Sequence, residues 1–260
     1  MPLNCRAILP MLPLLFMTAC AQSKTDTPTV AAAADLNFAL EDIAARFRAD
    51  TKRDVRLAFG SSGNFYRQIG QGAPFQIFMS ADESFIFKLA QAGRTEDRGT
   101  LYATGRIVLF ALHGSPLKVD AKMAGLKAAL ADGRIRRFAI ANPEHAPYGR
   151  AAEQALRKLG LWEPLRPKLV LGENVSQAAQ FASSGSAEGG VFAYSLALSP
   201  KVSKLGTYVL LSSDLHEPLR QRMALTKGAG EAARAFYRYL QQPPAREIFR
   251  RYGFVLPGEQ

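Results

Sequence analysis

Cysteine is nearly absent from this chain of 260 residues, where it occurs only as Cys5 and Cys20. Both lie in the N-terminal apolar segment, so the rest of the chain has no disulfide to stabilise it and no thiolate to bind a metal. Stability must therefore come from apolar burial. A chain of this length can bury one large core or two modest ones.

The sequence also lacks the short motifs that carry catalytic chemistry. It contains no G-x-S-x-G elbow, no G-x-x-x-x-G-K phosphate loop and no H-E-x-x-H zinc motif, and its three histidines are far apart. A nucleophile at Ser62 would need a base such as His145, and nothing in the spacing pairs the two. We therefore expect a protein that is not an enzyme, with a secreted serine hydrolase as the weaker alternative.

No apolar run reaches the roughly 20 residues that a transmembrane helix needs. The N-terminus carries Arg6, an apolar run over residues 7–17 and then small residues, which indicates an export signal over residues 1–21. Ala19-Cys20-Ala21 fits an A-x-A cleavage site, whereas MTAC resembles a lipobox that would leave a lipidated Cys20. We expect a periplasmic protein, and the lipid anchor stays open.

The charge balance is basic, with 33 Lys and Arg against 22 Asp and Glu and a formal net charge of +11. Such a balance suits nucleic acid, an anionic surface or an anionic ligand. No basic run is interleaved with aromatic residues, so we expect no nucleic-acid partner. The charge by itself does not choose between the other two.

Strand-like and helix-like segments alternate along most of the chain. The run VAAAA is followed by Leu36, Leu40, Ile43 and Phe47, which are spaced as one face of a helix, and VRLAF precedes NFYRQIGQ. This rhythm predicts an α/β fold with parallel sheets flanked by helices.

In such folds ligands bind at the carboxyl ends of strands, where the N–H groups of the next helix are free. The turn Gly60-Ser61-Ser62-Gly63 follows one predicted strand, with the helix expected to begin at Asn64, and Ala34-Asp35 follows another. Serine hydroxyls and helix N–H groups are suitable donors to an anion. Two alternatives stay open at this stage: an anion site, or a plain turn with a serine N-cap.

Asp35 has two interpretations of its own. The favoured one makes it the N-cap of a helix that begins at Leu36. In the other, its carboxylate lies near the ligand, where it would repel a bare dianion but accept the proton of hydrogen phosphate or a similar protonated oxyanion.

Five segments taken together resemble the molybdate-binding periplasmic proteins of ABC transporters, in order from about residue 29 to residue 255. They are AAAADLNFALEDIAARF, FGSSGNFYRQIGQGAPFQIFMSADE, NPEHAPYGRAAEQALRKLGLW, LGENVSQAAQFA and AREIFRRYGF. The resemblance implies a type II periplasmic-binding-protein fold of two lobes, each a mostly parallel sheet flanked by helices. Lobe one would hold residues 28–107 and 217–260, and lobe two residues 108–216.

The same resemblance implies a site for molybdate or tungstate, held as an oxyanion without a cofactor or a metal cation. Ser62 matches the family's hydroxyl donor, and Tyr148 and Val175 match positions that donate a main-chain N–H. Ala34 stands at the first turn, where a serine is usual. Some members have a tyrosine where this chain has Ala193. The neighbouring Tyr194 would replace that hydroxyl if the strand shifts by one residue, and an equally good interpretation makes Tyr194 a core or interface aromatic.

The resemblance further implies delivery to an ABC permease by a monomeric binding protein. Capture of another oxyanion, such as phosphate or sulfate, is the alternative within this class.

Overall fold

The computed structural model describes Met1 and residues 27–259. The predicted export signal and Cys20 lie outside the described residues. Within residues 27–259 there are ten strands: β1 (Thr29–Ala33), β2 (Arg56–Gly60), β3 (Ile77–Ser80), β4 (Thr100–Gly105), β5 (Ile107–Leu112), β6 (Phe138–Ala141), β7 (Leu169–Gly172), β8 (Gly189–Ala193), β9 (Gly206–Leu210) and β10 (Leu219–Leu225).

Ten α-helices lie in the same part of the chain: α1 (Asn37–Thr51), α2 (Ser62–Gly70), α3 (Glu83–Gln91), α4 (Ala124–Ala131), α5 (Pro147–Lys158), α6 (Trp162–Leu165), α7 (Val175–Ser183), α8 (Tyr194–Ala197), α9 (Glu231–Tyr239) and α10 (Pro243–Arg251). Short 3-10 turns cover Ala34–Leu36, Arg166–Lys168 and Ser213–Leu215. None of the helices in residues 27–259 is long and apolar enough to cross a membrane.

The strands form two five-stranded sheets. The first has the order β2-β1-β3-β10-β4, and the second has the order β7-β6-β8-β5-β9. In the first sheet β1 pairs in parallel with β2 and β3, while β10 is antiparallel to β3 and β4. In the second, β6 is parallel to β7 and β8, while β5 is antiparallel to β8 and β9.

The expected mostly parallel sheets are therefore mixed. The strands next to the two connections between the sheets, β5 and β10, run against their neighbours. At the first connection only Arg106 separates β4 from β5, and at the second the chain returns to the first sheet at β10. Ile107, expected in lobe one, is the first residue of a strand in the second sheet.

Helix α1 follows the predicted amphipathic pattern. Leu36, Leu40, Ile43 and Phe47 are all buried, as the spacing predicts. The Phe47 ring packs edge-on against Phe236, with ring centroids 5.0 Å apart. Because α9 supplies Phe236, this contact joins the C-terminal part of the chain to α1.

The sheet directions position the candidate site. The parallel strands β1, β2 and β3 end at the same edge of the first sheet, and β6, β7 and β8 do the same in the second. Each edge therefore presents the N-termini of the helices that follow its strands.

Candidate anion-binding site

A small cavity lies where the carboxyl edges of the two sheets meet. It is lined by Ala33, Ala34, Asp35, Gly60, Ser61, Ser62 and Ala81 from one side and by Ala146, Pro147, Tyr148 and Val175 from the other. Its volume, measured as the space open to the centre of a water-sized sphere, is about 10 Å³. Pockets for drug-sized ligands begin at roughly 300 Å³, so this cavity suits a small inorganic ion.

No lysine or arginine belongs to the lining. An anion in the cavity would therefore be held by neutral donors and helix N-termini, without a salt bridge. Within residues 27–259 there is also no group of three or more His, Cys, Asp or Glu side chains that could hold a metal ion.

Ser62 is fully buried and is the first residue of α2. Its Oγ accepts a hydrogen bond from the Ala81 N–H at 3.0 Å, at the end of β3. A serine hydroxyl accepts through its lone pairs and still has one proton to donate. The Ala81 contact therefore orients Ser62 and leaves its O–H available to a ligand.

Ser61 has a different role. Its Oγ accepts from the Asn64 N–H at 3.3 Å, which makes Ser61 the N-cap of α2. The expectation that the helix begins at Asn64 was wrong, because this cap starts the helix two residues earlier, at Ser62. The Ser61 Oγ also lies 3.0 Å from the Nδ1 of His145, on the loop before α5.

The main-chain donors come from the first turns of three helices. Ser62 and Val175 are the first residues of α2 and α7, and Tyr148 is the second residue of α5. The N–H groups of such positions have no acceptor within their own helix. Asn174 Oδ1 accepts from Ser176 and Gln177 and leaves the Val175 N–H uncapped. Ala34 opens the 3-10 turn after β1, which has no side-chain cap.

Asp35 is not an N-cap, contrary to the favoured expectation. Helix α1 begins at Asn37 with Leu36 as its N-cap, and no side chain caps it. The Asp35 side chain instead reaches across to the other side of the cavity, where Oδ2 accepts from the Tyr148 hydroxyl at 2.9 Å. Oδ2 also accepts from Gln221 Nε2 at 2.6 Å, and Asp35 Oδ1 is buried without a partner.

This buried network was missed by sequence reasoning. Gln221 is fully buried in β10, and its Oε1 accepts from the Tyr102 hydroxyl at 2.7 Å. Gln221 lies 186 positions from Asp35 in the chain, so no local pattern connects them. The available signal was a glutamine at a buried position of the strand LRQRMAL, because a buried amide requires polar partners.

Burial shifts the pKa of all three ionisable groups in this network, Asp35, Tyr148 and Tyr102. It raises the pKa of Asp35 to about 6, although the hydrogen bonds from Gln221 and Tyr148 pull that pKa down. Burial, together with the neighbouring Asp35 charge, raises the pKa of Tyr148 well above its ordinary value. Tyr148 is therefore a neutral donor throughout the ordinary pH range.

Tyr194 does not line the cavity, unlike Ala34, Ser62, Tyr148 and Val175. Its ring packs against the Arg106 guanidinium, 4.9 Å from the ring centroid, and lies 6.0 Å from the Tyr208 ring. This placement corresponds to the alternative interpretation of Tyr194 as a packing aromatic. The neighbouring Ser195 is the residue that approaches the site, since its Oγ donates to the Asp35 carbonyl at 2.7 Å.

Direct contacts hold the two sides of the cavity together. The Gly63 N–H donates to the His145 carbonyl at 3.0 Å. The Asn64 side chain donates to Glu173, whose Oε2 lies 3.5 Å from His145 Nε2. Arg150 of α5 forms an ion pair with Asp82 at 2.5 Å. The structure therefore has the cavity in a closed arrangement.

Ser61, His145 and Glu173 form a chain that superficially resembles a hydrolytic triad. The Ser61 oxygen is occupied as an N-cap acceptor, and Ser62, the serine considered as a nucleophile, bonds to Ala81 instead of His145. The arrangement is that of contacts between two sides of a closed cleft.

Two mixed α/β sheets that enclose a small cavity lined by helix N-termini define a two-lobed solute-binding protein. The model of the bacterial extracellular solute-binding protein family matches residues 28–255, and the chain belongs to this family. It is 41% identical over 228 residues to the molybdate-binding protein ModA of Rhodobacter capsulatus, covering 86% of each chain. It is 40% identical over 243 residues to ModA of Azotobacter vinelandii, covering 92% of this chain and 94% of that protein.

Among solved structures, the periplasmic molybdate-binding protein of Azotobacter vinelandii superposes with a TM-score of 0.80 at 33% identity. The match covers 88% of this chain and 99% of that one.

Proposed function

We propose that this protein is an extracytoplasmic substrate-binding protein that captures molybdate or tungstate in the interlobe cavity and delivers it to an ABC permease. The observation that carries the proposal is a small cavity lined by helix N-termini and serines, with no cation in its lining. The relatives named molybdate-binding proteins support the choice of ligand.

The proposed donors are the Ser62 hydroxyl and the main-chain N–H groups of Ala34, Ser62, Tyr148 and Val175. A hydrogen bond to a charged group contributes about 1.5–3 kcal/mol, and a favourable helix N-terminus contributes up to about 2 kcal/mol. Five such donors are sufficient for the roughly 8–12 kcal/mol that micromolar to nanomolar binding requires.

Selectivity among oxyanions would follow from the protonation state and the size of the ion. A fully deprotonated tetrahedral dianion accepts hydrogen bonds at every oxygen, which matches a lining dominated by donors. Sulfate is smaller than molybdate or tungstate and would leave longer hydrogen bonds to the same donors, which weakens binding.

In this proposal the protein is a monomeric carrier and not a catalyst. The lobe limits near Arg106 and residues 216–218 would act as the hinge, and the closed form would present a joint surface of both lobes to the permease. A periplasmic location follows from the family, and a lipid anchor through Cys20 is a further option that intact-mass analysis would test.

Calorimetric titration with molybdate, tungstate, sulfate and phosphate at equal ionic strength tests the function. We expect similar, tight binding of molybdate and tungstate and much weaker binding of the other two. Equal or tighter binding of sulfate would overturn the proposed ligand, and tightest binding of phosphate would favour the protonated-oxyanion alternative.

A further inference from the structure

Asp35 places a carboxyl group in the cavity that we propose holds a dianion, where an ionised carboxylate would repel the ligand. Its side chain is 1% exposed and lines the cavity beside the proposed donors. Oδ2 is occupied by Tyr148 and Gln221, whereas Oδ1 is buried with no partner among the described residues. A buried carboxyl oxygen without a partner is costly, and Oδ1 is therefore the atom of this side chain that is free to bond to a ligand.

No positive charge compensates this carboxyl group. The contacts to Asp35 come from neutral groups: Tyr148 on α5, Gln221 on β10 and Ser195 on α8, with Tyr102 of β4 behind Gln221. Helix α7, which also packs against this turn, has the sequence VSQAAQFAS and no ionisable residue.

The remaining charged groups of the packed elements are either farther along them or paired with other residues. The only one on β2 is Arg56, at the opposite end of the strand from Gly60, and those of α1 begin at the exposed Glu41. On β10, Arg220 and Arg222 flank Gln221 but both form ion pairs with Glu83. Arg150 of α5 forms an ion pair with Asp82. Within residues 27–259 Asp35 forms no ion pair with a Lys, Arg or His side chain. An incoming dianion would therefore meet the full repulsion of an ionised carboxylate.

Two energies decide whether Asp35 is ionised or protonated in the complex: the repulsion between two negative charges and the cost of protonating the carboxyl group. At 4 Å and an effective dielectric constant near 20, one pair of like unit charges weakens binding roughly a thousandfold, and a dianion doubles the interaction energy. Protonating a carboxyl group whose pKa is about 6 weakens binding only about tenfold at pH 7. The protonated complex is favoured by a wide margin.

We propose that Asp35 takes up one proton from solvent when the oxyanion binds, and that the resulting O–H at Oδ1 donates a hydrogen bond to the ligand. The carboxylate gains a proton to form the acid, and the oxyanion stays a dianion. Asp35 thereby becomes a further donor of the site and makes capture dependent on pH. This inference rests on the proposed function.

The test is calorimetric titration of the protein with molybdate at pH 6, 7 and 8, each in two buffers of different ionisation enthalpy. The dissociation constant should rise about fiftyfold between pH 6 and pH 8, because the fraction of protonated Asp35 in the free protein falls from about one half to about one hundredth. Proton uptake should approach one per ligand at pH 8.

Variants identify the group that takes up the proton. Asp35→Asn has an amide in place of the acid, and it should bind with no proton uptake and little pH dependence. Glu173→Gln and His145→Gln each remove one member of the His145–Glu173 pair beside the cavity and should keep the pH slope of the unmodified protein. If the ligand itself took up the proton, proton uptake would persist in Asp35→Asn. The variant therefore also distinguishes protonation of the ligand from protonation of the protein.

Tight binding by the unmodified protein without proton uptake would overturn the inference and leave the proposed function intact. Absence of binding to all four oxyanions would overturn both. The proton count on the unmodified protein needs no variant to fold, so a poorly folded Asp35→Asn would not prevent a decision.

Discussion

Replacing Gly63 by alanine should keep the two sides of the cavity from closing fully. A Cβ at Gly63 would lie 2.6 Å from the His145 carbonyl oxygen and 3.0 Å from the His145 Cα. Ordinary contacts of a Cβ begin at about 3.4 Å, so the loop before α5 must retreat by roughly 0.8 Å. These two His145 atoms are backbone and the third, the His145 Cβ at 3.0 Å, is attached directly to it, so none of them can move by a change of rotamer.

The consequence of that retreat can be estimated from the contacts it disturbs. The Gly63 N–H bond to His145 contributes about 0.5–1.5 kcal/mol, and steric strain adds typically 1–3 kcal/mol. The same movement lengthens the hydrogen bonds that the neighbouring Tyr148 N–H would make to the ligand. Together these contributions amount to about 1.5–4.5 kcal/mol, so we expect molybdate affinity to fall roughly ten- to thousandfold.

Gly70→Ala is the matched control, because Gly70 ends the same helix and a Cβ there meets nothing within 4 Å. This control should keep full affinity. Titration calorimetry on both variants, with melting temperatures of the free proteins, separates loss of closure from loss of fold. Undiminished affinity in a folded Gly63→Ala would refute the conclusion that the Gly63 contact belongs to the ligand-bound form.

Two further predictions concern Asp35 and Tyr194. The pKa of Asp35 in the folded protein is about 6, above the ordinary value of 3.8. Between these pH values the folded state therefore binds more protons than the unfolded state. The free energy of unfolding should fall as the pH rises through this window, by about 3 kcal/mol for this group. Urea unfolding of the free protein should therefore show that Asp35→Asn gains stability relative to the unmodified protein between pH 4 and pH 7, and a pH-independent difference would contradict the burial argument. Tyr194→Phe keeps the ring against Arg106 and should leave molybdate affinity within about twofold; a tenfold loss in titration would return the Tyr194 hydroxyl to the site.

The parts of the fold that follow from local periodicity could be predicted from the sequence. The buried face of α1 is an example, because its spacing alone determines which side chains point to the core. The strand-helix rhythm likewise indicated an α/β fold. Strand direction next to the connections between the sheets could not be predicted, since it depends on how the chain enters each sheet.

Some residues of the candidate site could also be predicted from the sequence, and others could not. Ser62 was indicated by the turn that follows a predicted strand, whereas Tyr148 and Val175 were indicated only by the family resemblance. The structure brings all three positions to one cavity. The partners of Asp35 could not be predicted, because its hydrogen bonds to Tyr148 and Gln221 join residues more than one hundred positions apart. The sequence around Asp35 is typical of a helix N-cap, but in the folded protein its side chain bonds to residues that are distant in the chain.

The central claim is that Ser62 donates to an oxyanion while Ser61 caps the helix, and titration of Ser62→Ala and Ser61→Ala with molybdate tests it most directly. Loss of one hydrogen bond to a charged ligand, about 1.5–3 kcal/mol, should weaken binding by Ser62→Ala roughly ten- to hundredfold. Ser61→Ala should lose about 0.5–2 kcal/mol of stability as a missing cap and show a smaller loss of affinity. Unchanged molybdate affinity in a folded Ser62→Ala would contradict the account.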